Sequence, residues 1–99
     1  MEVSVNRLPA GFAVPFLHRH RHHEEFYLFL DGDGEFIADG ERIAITPGTA
    51  IRVAPPVARS WRSTGDKPLV YLVVQATEHS LSGHEIEDGE PCGGNPWVA

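Results

Sequence analysis

The sequence predicts a single all-β domain, a sandwich or small barrel of about seven or eight short strands. Three observations predict it. Gly or Pro stands at 9, 11, 15, 32, 34, 40, 47, 48, 55, 56, 65 and 68, so helical patterning never lasts. The segments between these stops are rich in β-branched and aromatic residues. Turn signals also recur about every 8–12 residues, the rhythm of such folds. With 99 residues the chain has room for one modest core and no second domain.

Taken in order, Glu2–Asn6 and Gly11–Phe16 are expected as the first strands. Phe26–Leu30 (FYLFL) is apolar throughout, which predicts burial on both faces or against a partner. Gly32-Asp33-Gly34 turns the chain into EFIADGERIAI, where Asp39-Gly40 suits a two-residue type I′ hairpin turn with positive φ at both positions. Thr46-Pro47-Gly48 turns again before Ala50–Ala54. Pro55-Pro56 cannot donate to a ladder and ends that strand. Arg59–Ser63 is a short strand, TGDKP a turn, and Leu69–Ala76 (LVYLVVQA) a long, almost wholly apolar strand. Residues 1–77 are thus expected to form the barrel and 78–99 an acidic, loosely ordered tail, with Trp97 either docked or free.

Composition narrows the function classes. Apolar residues make up 41% of the chain, enough for a core. Cys92 is its one cysteine, which excludes an intramolecular disulfide framework. The formal charge is −6, but residues 77–99 carry Glu78, Glu85, Glu87, Asp88 and Glu90 with no Lys or Arg, so the body is nearly neutral. No basic stripe exists to follow phosphates, and no nucleic-acid partner is expected. The run LPAGFAVPFL has two prolines and is far too short to span a bilayer. No membrane association and a cytoplasmic location are expected.

The chemistry concentrates in residues 18–27, HRHRHHEEFY, which hold four of the six histidines. In an extended chain His18, His20 and His22 share a face. Two imidazoles spaced H-x-H converge on one ion, and after a local bend a carboxylate can complete three ligands. Two His and one carboxylate with open positions form the facial triad of non-haem Fe(II), while imidazole also suits Zn, Cu and Ni. The open positions allow activation of water, O₂ or a chelating substrate. The interleaved Arg19 and Arg21 fit the alternative equally, a solvated charged face.

The order His18, one residue, His20, four residues, Glu25, six residues, Gly32 resembles the first motif of the cupin superfamily, with Gly11 one place too far upstream. The later segment PGTAIRVAPPVARSWRS resembles the second cupin motif. There Gly48 fits and Trp61 falls where an aromatic is common, but Ala54 replaces proline, Pro56 glycine, Arg59 histidine and Ser63 asparagine. The short link DGERIAITPG looks like a minimal intermotif region, and the resemblance covers about residues 11–76. It implies a small double-stranded β-helix, the jelly-roll or cupin barrel. It also implies a divalent transition metal (Fe, Mn, Ni or Zn) on His18, His20 and Glu25, a small-molecule ligand, and a homodimer.

Arg59 stands where metal-binding cupins usually place a further histidine ligand, and a guanidinium has no lone pair to give. Three arrangements remain open. His18, His20 and Glu25 bind a metal alone while Arg59 grips an anionic ligand; His22 substitutes; or Arg59 pairs with Glu25 and no metal binds. Tyr27, which shares the parity of Glu25, and Trp61, which shares that of Arg59, are candidate substrate-binding residues beside Arg59, with core packing as the competing role. His23, His79 and His84 receive no role. The function classes that follow are a metal-dependent dioxygenase, lyase or isomerase of a small polar or anionic metabolite, and a non-catalytic ligand-binding or regulatory module.

Overall fold

In the computed structural model, which describes residues 1–83 and 85–98, seven strands follow one another. They are β1 (Glu2–Leu8), β2 (His23–Asp31), β3 (Gly34–Ala38), β4 (Glu41–Ile45), β5 (Ala50–Val53), β6 (Arg59–Ser63) and β7 (Leu69–Thr77). A 3-10 turn at Glu85–Glu87 is the one helical element among the described residues. His84 and Ala99, both in the expected tail, lie outside the described residues. No described helix is long and apolar enough to cross a membrane.

The strands make two antiparallel sheets, ordered β1-β7-β2-β5 and β4-β3-β6. Residues 12–18 were expected to hold a regular strand from Gly11 to Phe16, and they do not. They touch β6 through isolated bridges at Ala13–Arg62 and His18–Arg59, with Val14 N donating to Trp61 O at 2.9 Å. Pro15 has no N–H to give, so the ladder breaks at that point and resumes at His18.

The β3–β4 hairpin turns on Asp39 (φ 51°) and Gly40 (φ 80°), both in the left-handed region that a type I′ turn requires. The glycine that closes the first motif, Gly32, has φ 86°, and a Cβ there would overlap the Pro68 carbonyl oxygen. Only glycine fits this crossing between the start of the β2–β3 turn and the start of β7.

Five aromatics from both sheets fill the interior: Tyr27 and Phe29 of β2, Phe36 of β3, Trp61 of β6 and Tyr71 of β7. Their rings meet edge-on or stacked at centroid distances such as 5.0 Å (Tyr27–Trp61), 5.1 Å (Tyr27–Phe36) and 5.7 Å (Phe36–Trp61). Ile45, Ile51, Val53 and Leu69 complete the core. Each large side chain so buried contributes about 1.5–3 kcal/mol of hydrophobic stabilisation before entropy is counted.

FYLFL is not buried on both faces. Tyr27 and Phe29 point inward, whereas Phe26 is 39% and Leu30 47% exposed. The register places Phe26 beside Val74 and Leu28 beside Leu72, and these lie beside Val3 and Val5 of β1. The outer face of the larger sheet is therefore apolar across three strands.

Candidate metal centre

Main-chain bonds place the histidines, not a continuous strand. The expectation that residues 18–22 run extended as one strand is corrected: β2 begins at His23, and Arg21–His22 is a bend. His18 exchanges two hydrogen bonds with Arg59, N–H to carbonyl at 3.0 Å and carbonyl from N–H at 2.9 Å. His20 N donates to Pro55 O at 2.9 Å. The segment resembling the second motif thus holds the histidines of the first. After the bend, secured by Glu78 N donating to His22 O at 3.0 Å, β2 carries Glu25 inward between Val53 and Gln75.

The result is one cluster. The ligating atoms of His18, His20 and Glu25 all lie within 4.8 Å of one another. Glu25 Oε1 is 3.8 Å from His18 Nε2 and 3.1 Å from His20 Nε2. The imidazoles are 28% and 29% exposed and Glu25 is buried, so the cluster sits at a mouth with one open side. His22 is not in this group, and His23 Nδ1 lies 3.0 Å from Gln75 Oε1 at the surface.

Tyr27 and Arg59 stand behind Glu25, both fully buried. Tyr27 donates its hydroxyl to Glu25 Oε1 at 2.7 Å. Burial, then this hydrogen bond and the carboxylate charge, push the phenol far above its ordinary value, so it remains a donor. Arg59 Nη1 lies 3.8 Å from the same Oε1, an ion pair too long for a hydrogen bond, while Nη2 donates to Ala54 O at 3.0 Å. Trp61 belongs to the aromatic core, with its ring 5.7 Å from that of His18. Burial holds the His18 imidazole below its ordinary value of 6.5; Glu25 opposes this, and Arg59 and His20 reinforce it.

Whether a metal fits can be judged from the donors themselves. Donors that share one ion at about 2.0–2.2 Å each stand roughly 3–4 Å apart, which the two distances to Glu25 match. Neutral imidazoles and a carboxylate suit a first-row transition ion. The donor types and these two spacings suit a shared ion, and a fixed cation, Arg59, stands 3.8 Å from the same carboxylate oxygen. Among the described residues, His18 Nδ1, Arg59 Nε and Arg59 Nη1 are buried with no hydrogen-bond partner. The roles of the Ala54 and Pro55 carbonyls escaped the sequence reading, because main-chain acceptors leave no residue signature.

Comparison with known proteins agrees with this architecture. The family model for the cupin domain matches residues 5–75. The chain belongs to the cupin family, and its two facing sheets are the double-stranded β-helix of that family. A cupin protein from Bacteroides fragilis (BF4112) superimposes with a TM-score of 0.84 at 40% identity, over 91% of this chain and 76% of that one. A Thermotoga maritima protein (tm1287), described as a predicted oxalate decarboxylase, does so with a TM-score of 0.71 at 29% identity, over 76% and 64%. An uncharacterized protein of Methanocaldococcus jannaschii, MJ1618, is 29% identical over 79 residues, 80% of this chain and 62% of that protein's own length.

Proposed function

We propose that this chain is a metal-binding cupin that binds or transforms a small polar or anionic metabolite. His18, His20 and Glu25 hold a divalent transition ion, Fe, Mn, Ni or Zn, on the open side of the mouth. The observation that carries this reading is the convergence of three ligand atoms within 4.8 Å in a family whose members often bind metals. Such an ion offers its remaining positions to water, O₂ or a chelating substrate, which admits dioxygenase, lyase or isomerase chemistry. Tyr27 holds Glu25 in place by its hydrogen bond, and Arg59 supplies positive charge beneath it. The Thermotoga protein's description as a predicted oxalate decarboxylase supports a small acid among the metabolites to be screened.

Elemental analysis of the untagged protein tests the reading. Near-stoichiometric transition metal in the wild type, lost in the His18→Ala/His20→Ala double variant, is expected. No metal after reconstitution would leave a non-catalytic module in which Arg59 neutralises Glu25. That alternative draws on the 3.8 Å pairing already present.

The apolar outer face of the β1-β7-β2-β5 sheet supports a homodimer formed through that face. Val3 and Val5 are 57% and 71% exposed there, across β7 from Phe26 and Leu28.

A further inference from the structure

Arg59 changes the charge balance of the centre, and the inference drawn from it rests on the metal-binding reading above. Glu25 carries one negative charge and Arg59 one permanent positive charge. Imidazoles that ligate an ion are neutral. The cluster is therefore balanced before any ion enters, and a divalent ion adds two positive charges that no residue of the cluster offsets. His18, His20 and Glu25 form the one set of three candidate ligands among the described residues, and the adjacent Glu24 is engaged by Arg52 at 3.2 Å. Charge confined beside a fully buried guanidinium and a buried carboxylate is costly unless paired.

A second observation points the same way. Arg59 spends Nη2 on Ala54 O, but Nε and Nη1 have no acceptor among the described residues. Nη1 faces Glu25 Oε1 from 3.8 Å, and that oxygen already accepts the Tyr27 hydroxyl at 2.7 Å. Arg59 is fully buried behind Glu25, so its positive charge, not its remaining donors, is what reaches the open side of the cluster. Tyr27, Phe36 and Trp61 close the barrel beneath, so a ligand enters from the side where His18 and His20 reach solvent, and it must be small.

We propose that metal and a small dianion of the dicarboxylate class bind to this chain as a coupled pair, with Arg59 as the residue that couples them. The dianion supplies the two negative charges on the open side of the ion, held there by the ion itself and by the field of Arg59. Coupling of this kind is reciprocal: the anion tightens metal binding by the factor by which metal tightens the anion.

The test is equilibrium dialysis of the full chain against Mn²⁺ and, separately, Zn²⁺ at matched free-ion concentrations, with no added carboxylate, with acetate, or with malonate. Malonate is expected to tighten metal binding at least about tenfold, acetate much less, and Arg59→Met to reduce the malonate effect to about threefold or below. Arg59→His, which offers an imidazole in place of the cation, is expected to bind metal without malonate; it serves as the second variant if Arg59→Met does not fold. Equal metal affinity with and without malonate in the wild type overturns the coupling and leaves the metal site standing. A malonate effect undiminished in the folded variants overturns the role of Arg59. No metal bound under any condition overturns the metal-binding reading, and the coupling with it.

Discussion

Glu25 Oε1 is approached by two imidazoles, a phenol and a guanidinium, with Tyr27 at 2.7 Å the one partner that donates to it in good geometry. Hydrogen bonds to a charged acceptor contribute about 1.5–3 kcal/mol. Tyr27→Phe keeps the ring in its aromatic setting and removes only the donor, so a loss of about 1–2 kcal/mol is expected in urea unfolding. A loss near zero would show that His20 or Arg59 replaces the phenol on Glu25. At this scale the sequence was readable where side chains carry the information. The H-x-H spacing and the glutamate marked the three residues that the fold brings together, and the shared parity of Tyr27 and Glu25 put both inside. It was silent on how His18 and His20 are held, since the Arg59 and Pro55 main chains do that work. It also left Arg59 open between gripping a ligand and pairing Glu25, a question of ångströms that no spacing encodes.

At the scale of the element, β3 and β6 meet with Glu35 opposite Arg62, while on β4 Ala44 stands opposite Glu35 and Arg42, opposite Ile37, reaches Glu35 diagonally. Arg62 Nε donates to Glu35 Oε1 at 3.0 Å and Arg42 Nη1 at 3.1 Å. The Arg62 hydrogen bond first, and the charges of both arginines, hold the Glu35 carboxyl below its ordinary value of 4.5. A lowered carboxylate stabilises the fold fully above its unfolded value and loses that contribution as pH falls through the folded one. The melting temperature of the wild type is therefore expected to exceed that of Glu35→Gln at pH 7, with the gap closing below about pH 4.5 and shrinking in high salt. A gap unchanged with pH would assign the difference to packing instead. Strands bounded by turn residues were legible because Asp39-Gly40, Gly32 and Pro55-Pro56 each dictate backbone geometry. Gly11–Phe16 misled because its composition suits a strand while Pro15 interrupts the pairing. FYLFL left burial on both faces and burial against a partner open, because an unbroken apolar run hides which alternate residues face out.

For the whole molecule, the charge imbalance lies in the tail and the apolar sheet face on the barrel. Beyond Glu78, which bonds to the barrel through His22 and Arg52, the described tail residues are exposed, and Trp97 is 92% exposed and does not dock on the barrel. Uncovered apolar surface lies on the outer sheet face, where rows Val3–Val74–Phe26 and Val5–Leu72–Leu28 run across β1, β7 and β2, and also at Phe12, Phe16 and Leu17. A stable pair of subunits needs about 800 Å² of such surface from each. Light scattering at micromolar concentration is expected to give the mass of two 10.9 kDa chains, and Phe26→Glu the mass of one. A monomeric wild type would remove the dimer. The apolar runs FYLFL and LVYLVVQA were legible in the sequence; only the register showed that their outward residues line up with Val3 and Val5 on one sheet face.

The paired hydrogen bonds between His18 and position 59 use main-chain atoms on both sides. Any residue other than proline at 59 can make them. The scaffold that presents the first-motif histidines is thus insulated from the identity of the side chain facing Glu25. A barrel built this way can exchange a metal ligand for a fixed cation, or the reverse, by a single codon change without dismantling the rest of the cluster. The position acts as a socket, in which inheritance can refit the electrostatics of the mouth while its frame stays still.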